Sequence, residues 1–126
     1  MKPFIALVED NPDNRLLVQA ILEDEFEIEE YENGADALRG LRERPPSLVL
    51  LDISLPEMDG TEVLRHMRED PSLKAIPAIA LTAHAMAGDR ERFLAMGFDH
   101  YLTKPIVDDE LLIDTIHDLL QRNAAG

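Results

Sequence analysis

The sequence lacks cysteine and tryptophan and has no long hydrophobic run. Without cysteine, disulfides, zinc–thiolate sites, iron–sulfur clusters and thiol catalysis are excluded, and a reducing compartment is favoured. No apolar stretch approaches the ~18 residues that a membrane span requires. The first apolar run, residues 4–8, is shorter than the core of a secretory signal, about 7–15 residues, and two acids follow it. We therefore predict a cytoplasmic protein.

Basic residues are also scarce. The chain has 12 Lys and Arg residues against 26 Asp and Glu residues, so its formal net charge is −14. This charge repels phosphate backbones and anionic lipids, so we expect neither nucleic acid nor a membrane surface as a partner. What the chain does have is the composition of a globular domain, with 126 residues, of which 45% are hydrophobic and 30% charged. No linker or repeat interrupts it, and residues 1–126 are predicted to form one domain.

Short apolar runs alternate with longer amphipathic segments along the chain. Most of the runs suit strands buried on both faces of a parallel sheet, whereas the second alternates apolar with acidic residues, as a half-exposed edge strand does. Five strands alternating with five helices, joined by right-handed crossovers, predict an α/β fold in which a doubly wound parallel sheet lies between two helical layers. The predicted strands are residues 4–8, 26–31, 48–52, 78–82 and 98–102, and the last two helices are predicted at about 85–96 and 107–122.

Capping and turn residues place the helices. Pro12 opens the first helix, and Asn33 caps the second. Asp59-Gly60 is a turn before the third helix, and Gly97 ends the fourth. Apolar residues at helical spacing predict which faces pack on the sheet. They are Leu16, Leu17, Ala20 and Ile21 in the first helix, Ala35, Leu38 and Leu41 in the second, Val63, Leu64 and Met67 in the third, and Leu112, Ile116, Leu119 and Leu120 in the fifth.

Polar residues stand where four of the predicted strands end. Glu9 and Asp10 follow the first strand, and Asp52 ends the third. Thr82 ends the fourth strand, and Lys104 follows the fifth. In open α/β sheets the carboxyl ends of the strands form the site, so these side chains are expected to converge. Three carboxylates in one crevice repel each other and raise each other's pKa, which a hard cation such as Mg²⁺ would relieve.

The same residues suit phosphoryl transfer. A carboxylate nucleophile, a metal ion and a lysine are parts that this chemistry uses for positioning and charge neutralisation. Mg²⁺ and Lys104 together neutralise three carboxylates. A phosphoryl group on Asp52 would then leave a net charge of about −1, which the Thr82 hydroxyl and backbone N–H groups can stabilise.

Four stretches carry a resemblance to a known family. They are Val-Glu-Asp-Asn at 8–11, Leu-Asp-Ile-Ser-Leu-Pro-Glu-Met-Asp-Gly at 51–60, Leu-Thr-Ala-His-Ala at 81–85 and Tyr-Leu-Thr-Lys-Pro at 101–105. In this order and spacing the chain resembles the receiver domain of two-component response regulators, the CheY-like superfamily, over a core of about residues 2–122. The resemblance implies a flavodoxin-like sheet with strand order 2-1-3-4-5.

The resemblance also implies roles for the residues of the predicted site. Asp52 would be the phosphoacceptor, receiving its phosphoryl group from a histidine kinase or a histidine phosphotransfer protein. Glu9, Asp10 and Asp52, with the backbone carbonyl of Ser54, would hold Mg²⁺. Lys104 would be the cationic partner of the phosphoryl group.

Further residues would serve the switch and its lifetime. Thr82 would be the switch hydroxyl, and Tyr101 stands where the family has a rotameric aromatic side chain. Ser54 and His84 occupy positions that tune dephosphorylation, and the peptide bond between Lys104 and Pro105 is a candidate for the cis form.

On this resemblance the protein is a signalling switch whose only chemistry is Mg²⁺-dependent self-phosphorylation and autodephosphorylation. Phosphorylation would change contacts with a downstream protein through the face formed by the fourth helix, fifth strand and fifth helix. The chain would be a monomer or a weak phosphorylation-dependent dimer. It would be either a stand-alone regulator or a receiver cut from a hybrid histidine kinase. Residues 84–106 resemble the receivers of such kinases.

Two other classes fit the sequence less well. A hydrolase with an aspartyl-phosphate intermediate, such as a haloacid dehalogenase-type phosphatase, needs a second acid two residues after the nucleophile, and that position is Ser54. A flavodoxin-like flavin-binding module would need a phosphate loop rich in hydroxyl groups and glycine after the first strand. The loop at 9–12 is Glu-Asp-Asn-Pro instead, and its charge repels phosphate.

Overall fold

The computed structural model describes residues 2–83, 86–106 and 108–125, and side chains up to residue 122. Strands and helices alternate strictly along the chain. The strands are β1 (Phe4–Val8), β2 (Glu27–Tyr31), β3 (Leu48–Asp52), β4 (Ala78–Thr82) and β5 (His100–Thr103). The helices are α1 (Pro12–Leu22), α2 (Gly34–Glu43), α3 (Gly60–Glu69), α4 (Asp89–Met96) and α5 (Asp109–Ala125).

All five strands pair in parallel in the order β2-β1-β3-β4-β5. This order confirms the predicted flavodoxin-like fold. The central strands β1, β3 and β4 are buried along most of their length, whereas the acidic residues of the edge strand β2 are exposed. The buried strands thus explain the continuous apolar runs in the sequence, because both of their faces are covered.

Two hydrophobic clusters lie on the two faces of the sheet. Successive strand residues point to opposite faces, so Ala6 and Val8 pack with α2, α3 and α4, whereas Ile5 and Leu7 pack with α1 and α5. The predicted inward faces of α3 and α5 are confirmed, since every residue predicted there is buried or packs against its cluster.

The predicted inward face of α1 is wrong for Leu16, Leu17 and Ala20, which are exposed, and is confirmed only for Ile21. Leu16 and Leu17 are 70% and 38% exposed, whereas Val18 and Leu22 are buried, with Ile21 packed against them. Apolar residues surround much of this helix, so their spacing fits more than one face. Only the way α1 lies on the sheet selects the buried one.

A smaller correction concerns α2 and the helix and strand bounds. Ala35 is exposed and Ala37 packs in its place. The strand predicted from residue 26 begins at Glu27, because the Phe26 amide bonds to the Leu22 carbonyl at the end of α1. Similarly, the Phe98 amide caps α4 and β5 starts later than predicted.

The last two helices also begin later than predicted. The described part of α4 starts at Asp89, directly after Gly88, which has a φ of 87°. The described part of α5 starts at Asp109. No helix within the described ranges is both long and apolar enough to cross a membrane.

Candidate phosphorylation and metal site

The sheet brings the predicted polar residues to one edge. Val8 and Leu51 are partners in the β1–β3 register, so the residues that follow them, Glu9 and Asp52, stand side by side. Lys104 follows β5, two strands away, and its side chain reaches back to both carboxylates. The structure therefore assembles residues separated by nearly the whole chain, as expected for the carboxyl edge of an open α/β sheet.

Asp52 lies at the bottom of this site. It is 1% exposed. Its Oδ1 accepts a hydrogen bond of 3.0 Å from the Ser54 amide and lies 3.0 Å from the Lys104 Nζ atom. A buried carboxylate is tolerated only when it is paired and hydrogen-bonded, and both conditions are met here.

The start of α3 holds the backbone of Asp52 in place. The Gly60 amide bonds to the Ile53 carbonyl, and the Asp59 side chain caps the helix by accepting from the Glu62 amide. A Cβ atom on Gly60 would lie only 2.3 Å from the Asp52 carbonyl oxygen. Gly60 therefore does more than form a turn: only glycine allows the start of α3 to pack this closely against the Asp52 carbonyl.

Glu9 is the second buried carboxylate, and it is also 1% exposed. Its two oxygens accept from the Asn11 amide at 3.2 Å and from the Lys104 Nζ atom at 3.3 Å. Burial, followed by the hydrogen bond with Asp52, raises the pKa of Glu9 to about 7 from its ordinary 4.5. Burial is thus the main cause of the raised pKa of Glu9, and repulsion by Asp52 adds to it.

Asp10 completes the acidic group and is exposed. One carboxylate oxygen each from Glu9, Asp10 and Asp52 can lie within 4.8 Å of the others. Two buried carboxylates and one facing water form the oxygen donor set that a hard divalent cation prefers. A bound divalent cation would offset the repulsion between carboxylates this close together, so these residues fit a Mg²⁺ ion.

Lys104 provides the positive charge of the site. Burial lowers the pKa of its ammonium, but the hydrogen bond and charge of Asp52, together with Glu9, outweigh burial and raise it. Lys104 is therefore a permanent cation between two carboxylates. The Lys104–Pro105 peptide bond is cis, which confirms that prediction.

The remaining predicted residues lie around this centre. Thr82 ends β4 and is 7% exposed, and Leu81 before it is the register partner of Asp52. Tyr101 is half-buried on β5, with its ring centroid 5.5 Å from that of Phe93. Ser54 is exposed, and its amide binds Asp52. His84 lies outside the described residues.

Sequence reasoning missed the contribution of Asn11. Its side chain caps α1 by accepting from the Asp13 and Asn14 amides, while its own amide binds the Glu9 carboxylate. An Asn directly before a Pro at a helix start is a capping signal, and this signal would have identified Asn11. The helix cap and the acidic pair are therefore parts of one turn.

The fold and site define a class of signalling protein, and comparison with known families agrees. Residues 5–117 match the model of the response regulator receiver domain. The chain belongs to this family, whose members are phosphoacceptors in two-component signalling rather than metabolic enzymes. Receiver domains interact with histidine kinases and phosphotransfer proteins.

Particular relatives include a histidine-protein kinase and a response regulator. The chain is 38% identical over 123 residues to the signal transduction histidine-protein kinase BarA of Escherichia coli K12, covering 97% of this chain but only 13% of that kinase. It is 42% identical over 107 residues to the polar-differentiation response regulator DivK of Brucella anthropi, covering 84% of this chain and 87% of the regulator.

Among solved structures, the chain is similar to the receiver domain of the sensor histidine kinase PA1611 from Pseudomonas aeruginosa. The TM-score is 0.81 and the identity 32%, and the match covers 100% of both chains. That receiver was solved with a magnesium ion coordinated in its active-site cleft.

Proposed function

We propose that Asp52 accepts the phosphoryl group and that the protein is a phosphorylation-controlled switch. The observation that carries this proposal is the environment of Asp52, a buried carboxylate held by Lys104 at 3.0 Å beside two further carboxylates. The donor would be the phosphohistidine of a histidine kinase or phosphotransfer protein. One relative named above is a histidine-protein kinase and the other a response regulator. We propose for this chain only the phosphoacceptor activity of a receiver domain.

The chemistry is a displacement at phosphorus. A carboxylate oxygen of Asp52 forms the new O–P bond as the P–N bond of the phosphohistidine breaks, and the imidazole leaves with the bonding electron pair. Lys104 and the Ser54 amide hold the nucleophile and face the developing charge. In a second displacement, water attacks the phosphorus, the O–P bond to Asp52 breaks, and the carboxylate leaves with the bonding electron pair as phosphate is released. Small acyl phosphates would serve as alternative donors.

Magnesium would be held by Glu9, Asp10 and Asp52 together with the backbone carbonyl of Ser54. When bound, it would neutralise charge on the phosphoryl oxygens. One oxygen of the Glu9 carboxylate already lies 3.3 Å from the permanently charged Lys104 ammonium. We therefore expect Asp10 to contribute more to Mg²⁺ affinity than Glu9 does.

The output would be a change of surface. The Thr82 hydroxyl would bond the phosphoryl group, and Tyr101 would turn inward beside α4, repacking the face formed by α4, β5 and α5. A downstream protein would read this face, with the chain a monomer or a weak phosphorylation-dependent dimer. Ser54 and His84 would set the lifetime of the phosphorylated state.

The proposal keeps the rest of the sequence prediction: one receiver domain over residues 1–126, a cytoplasmic location, and no binding of nucleic acid or membranes. A gel-mobility assay with duplex DNA and flotation with anionic vesicles would test the last two. Sequence-specific binding of DNA at physiological salt would contradict the proposal.

The phosphoacceptor is tested by incubating the protein with acetyl phosphate in the presence of either Mg²⁺ or EDTA. The mass of the intact chain is then measured by mass spectrometry. One phosphoryl group should be added to the wild type only with Mg²⁺. Asp52→Asn should remain unmodified, because an amide oxygen is a poor nucleophile. The matched control is Asp24→Asn, which removes the same charge from an exposed site, and it should be modified like the wild type. Modification of Asp52→Asn would overturn the assignment.

A further inference from the structure

Arg15, on the first turns of α1, contacts the backbone of the acidic pair. Its Nη1 atom donates to the Glu9 carbonyl at 2.9 Å and to the Asp10 carbonyl at 3.1 Å. One guanidinium nitrogen therefore bridges the two consecutive carbonyls whose side chains belong to the candidate metal site. This contact fixes the orientation of the two peptide groups that follow Glu9 and Asp10, and with it the directions in which their carboxylates project.

Arg15 is itself held from the other side. Its Nε atom lies 3.4 Å from a Glu30 carboxylate oxygen, and its Nη2 atom lies 3.4 Å from one of Glu32. The arginine side chain is only 15% exposed. A mostly buried guanidinium with hydrogen bonds from Nη1 and Nη2 and an ion pair at Nε has little freedom to move.

The order of the strands shows on which side of the loop between β1 and α1 the Arg15 guanidinium is held. Glu30 belongs to β2, which lies on one side of β1, whereas Asp52 ends β3 on the other side. The guanidinium thus holds the backbone of the loop from its β2 flank, and the Glu9 carboxylate meets Lys104 and Asp52 towards β3.

We propose that Arg15 is a positioning residue for magnesium: by bridging the carbonyls of Glu9 and Asp10 while anchored to Glu30 and Glu32, it holds the two carboxylates where the cation needs them. This inference rests on the proposed metal pocket of the receiver. The Nη1 atom bonds both carbonyls while Nε and Nη2 of the same planar group reach the two glutamates. The compact ammonium of a lysine cannot contact all four groups at once.

The proposal makes a prediction opposite in sign to simple electrostatics. Removing a positive charge beside a cation site should strengthen Mg²⁺ binding if charge alone matters. If Arg15 positions the acidic pair, its removal should weaken binding instead. A purely structural arginine would lower the free energy of unfolding and leave the Mg²⁺ affinity of the folded protein unchanged.

The test is isothermal titration of the full chain with MgCl₂, with unfolding by urea in EDTA as a parallel measurement. Arg15→Gln and Arg15→Lys should both weaken Mg²⁺ affinity roughly tenfold, as loss of a group that orients metal ligands does. Arg39→Gln is the matched control, because it removes the same charge from an exposed pair on α2, and its affinity should equal that of the wild type.

A second comparison decides the matter if Arg15→Gln does not fold. The double variant Glu30→Gln, Glu32→Gln removes the anchors of Arg15, whereas Glu27→Gln, Glu29→Gln removes equal charge from exposed positions of the same strand. At high salt, which screens the field of exposed charges, the first should bind Mg²⁺ several-fold more weakly than the second.

The outcomes separate the two proposals. Unchanged or tighter Mg²⁺ binding in Arg15→Gln, wild-type affinity in Arg15→Lys, or equal affinities of the two double variants would overturn the role of Arg15 and leave the metal pocket intact. A wild-type protein that binds no Mg²⁺ would overturn the proposed pocket and, with it, the role of Arg15.

Discussion

The raised pKa of Glu9 makes the stability of this protein depend on pH in a defined direction. Glu9 has a pKa of about 7 in the folded protein against an ordinary value of 4.5. The folded state therefore binds a proton more tightly than the unfolded state does. Below about pH 4.5 both states are protonated and the group contributes no difference; as pH rises towards 7, stability falls, and above 7 the cost is constant.

The size of this cost follows from the two pKa values. One pKa unit corresponds to about 1.4 kcal/mol, so ionised Glu9 would destabilise the Mg²⁺-free protein by at most about 3–4 kcal/mol above pH 7. Glu9→Gln keeps an acceptor for Lys104 and Asn11 but has no charge to ionise. At pH about 8 this variant should therefore be more stable than the wild type by about 1–3 kcal/mol, and at pH about 4 the difference should nearly vanish.

The assay is urea unfolding followed by circular dichroism, at several pH values and with or without Mg²⁺. Adding Mg²⁺ should stabilise the wild type more at high pH than at low pH, because protons compete with the cation for Glu9. The variant should gain less, having lost one anionic ligand. Glu29→Gln, at an exposed position on β2, is the control for charge alone. A difference between wild type and Glu9→Gln that does not change with pH would refute this reasoning.

Three other perturbations test different parts of the site. Gly60→Ala should cost about 1–3 kcal/mol of unfolding free energy and slow phosphorylation, because its Cβ would displace the Asp52 backbone; normal stability and rate would contradict the close approach. Glu57→Gly should raise the free energy of unfolding in urea by about 0.5–1 kcal/mol, because Glu57 has a φ of 63°; a loss of stability would contradict this. With Mg²⁺ and beryllofluoride, a phosphoryl mimic, NMR shifts at Tyr101 should be smaller in Thr82→Ala than in the wild type; equal shifts would rule out their coupling.

Local features of the sequence were sufficient to predict the layout of the protein. Apolar runs of strand length, helix caps and turn residues are local features, and they predicted five strands, five helices and the polar residues at the strand ends. Because parallel strands share one carboxyl edge, the side chains of Glu9, Asp52 and Lys104 had to meet once the order of strands was known. That order came from the resemblance to receivers, and the sheet confirms it.

Features that depend on contacts between distant residues became visible only in the three-dimensional structure. Leu16 and Leu17 are exposed and Val18 is buried because of how α1 lies on the sheet, which spacing within one helix does not specify. Burial beside Asp52 is what raises the pKa of Glu9. The sequence placed both Glu9 and Asp10 at the site, but it did not specify that Glu9 is buried and Asp10 exposed. Arg15 likewise has a role only because β2, which follows it in the chain, lies next to β1 and supplies its anchors.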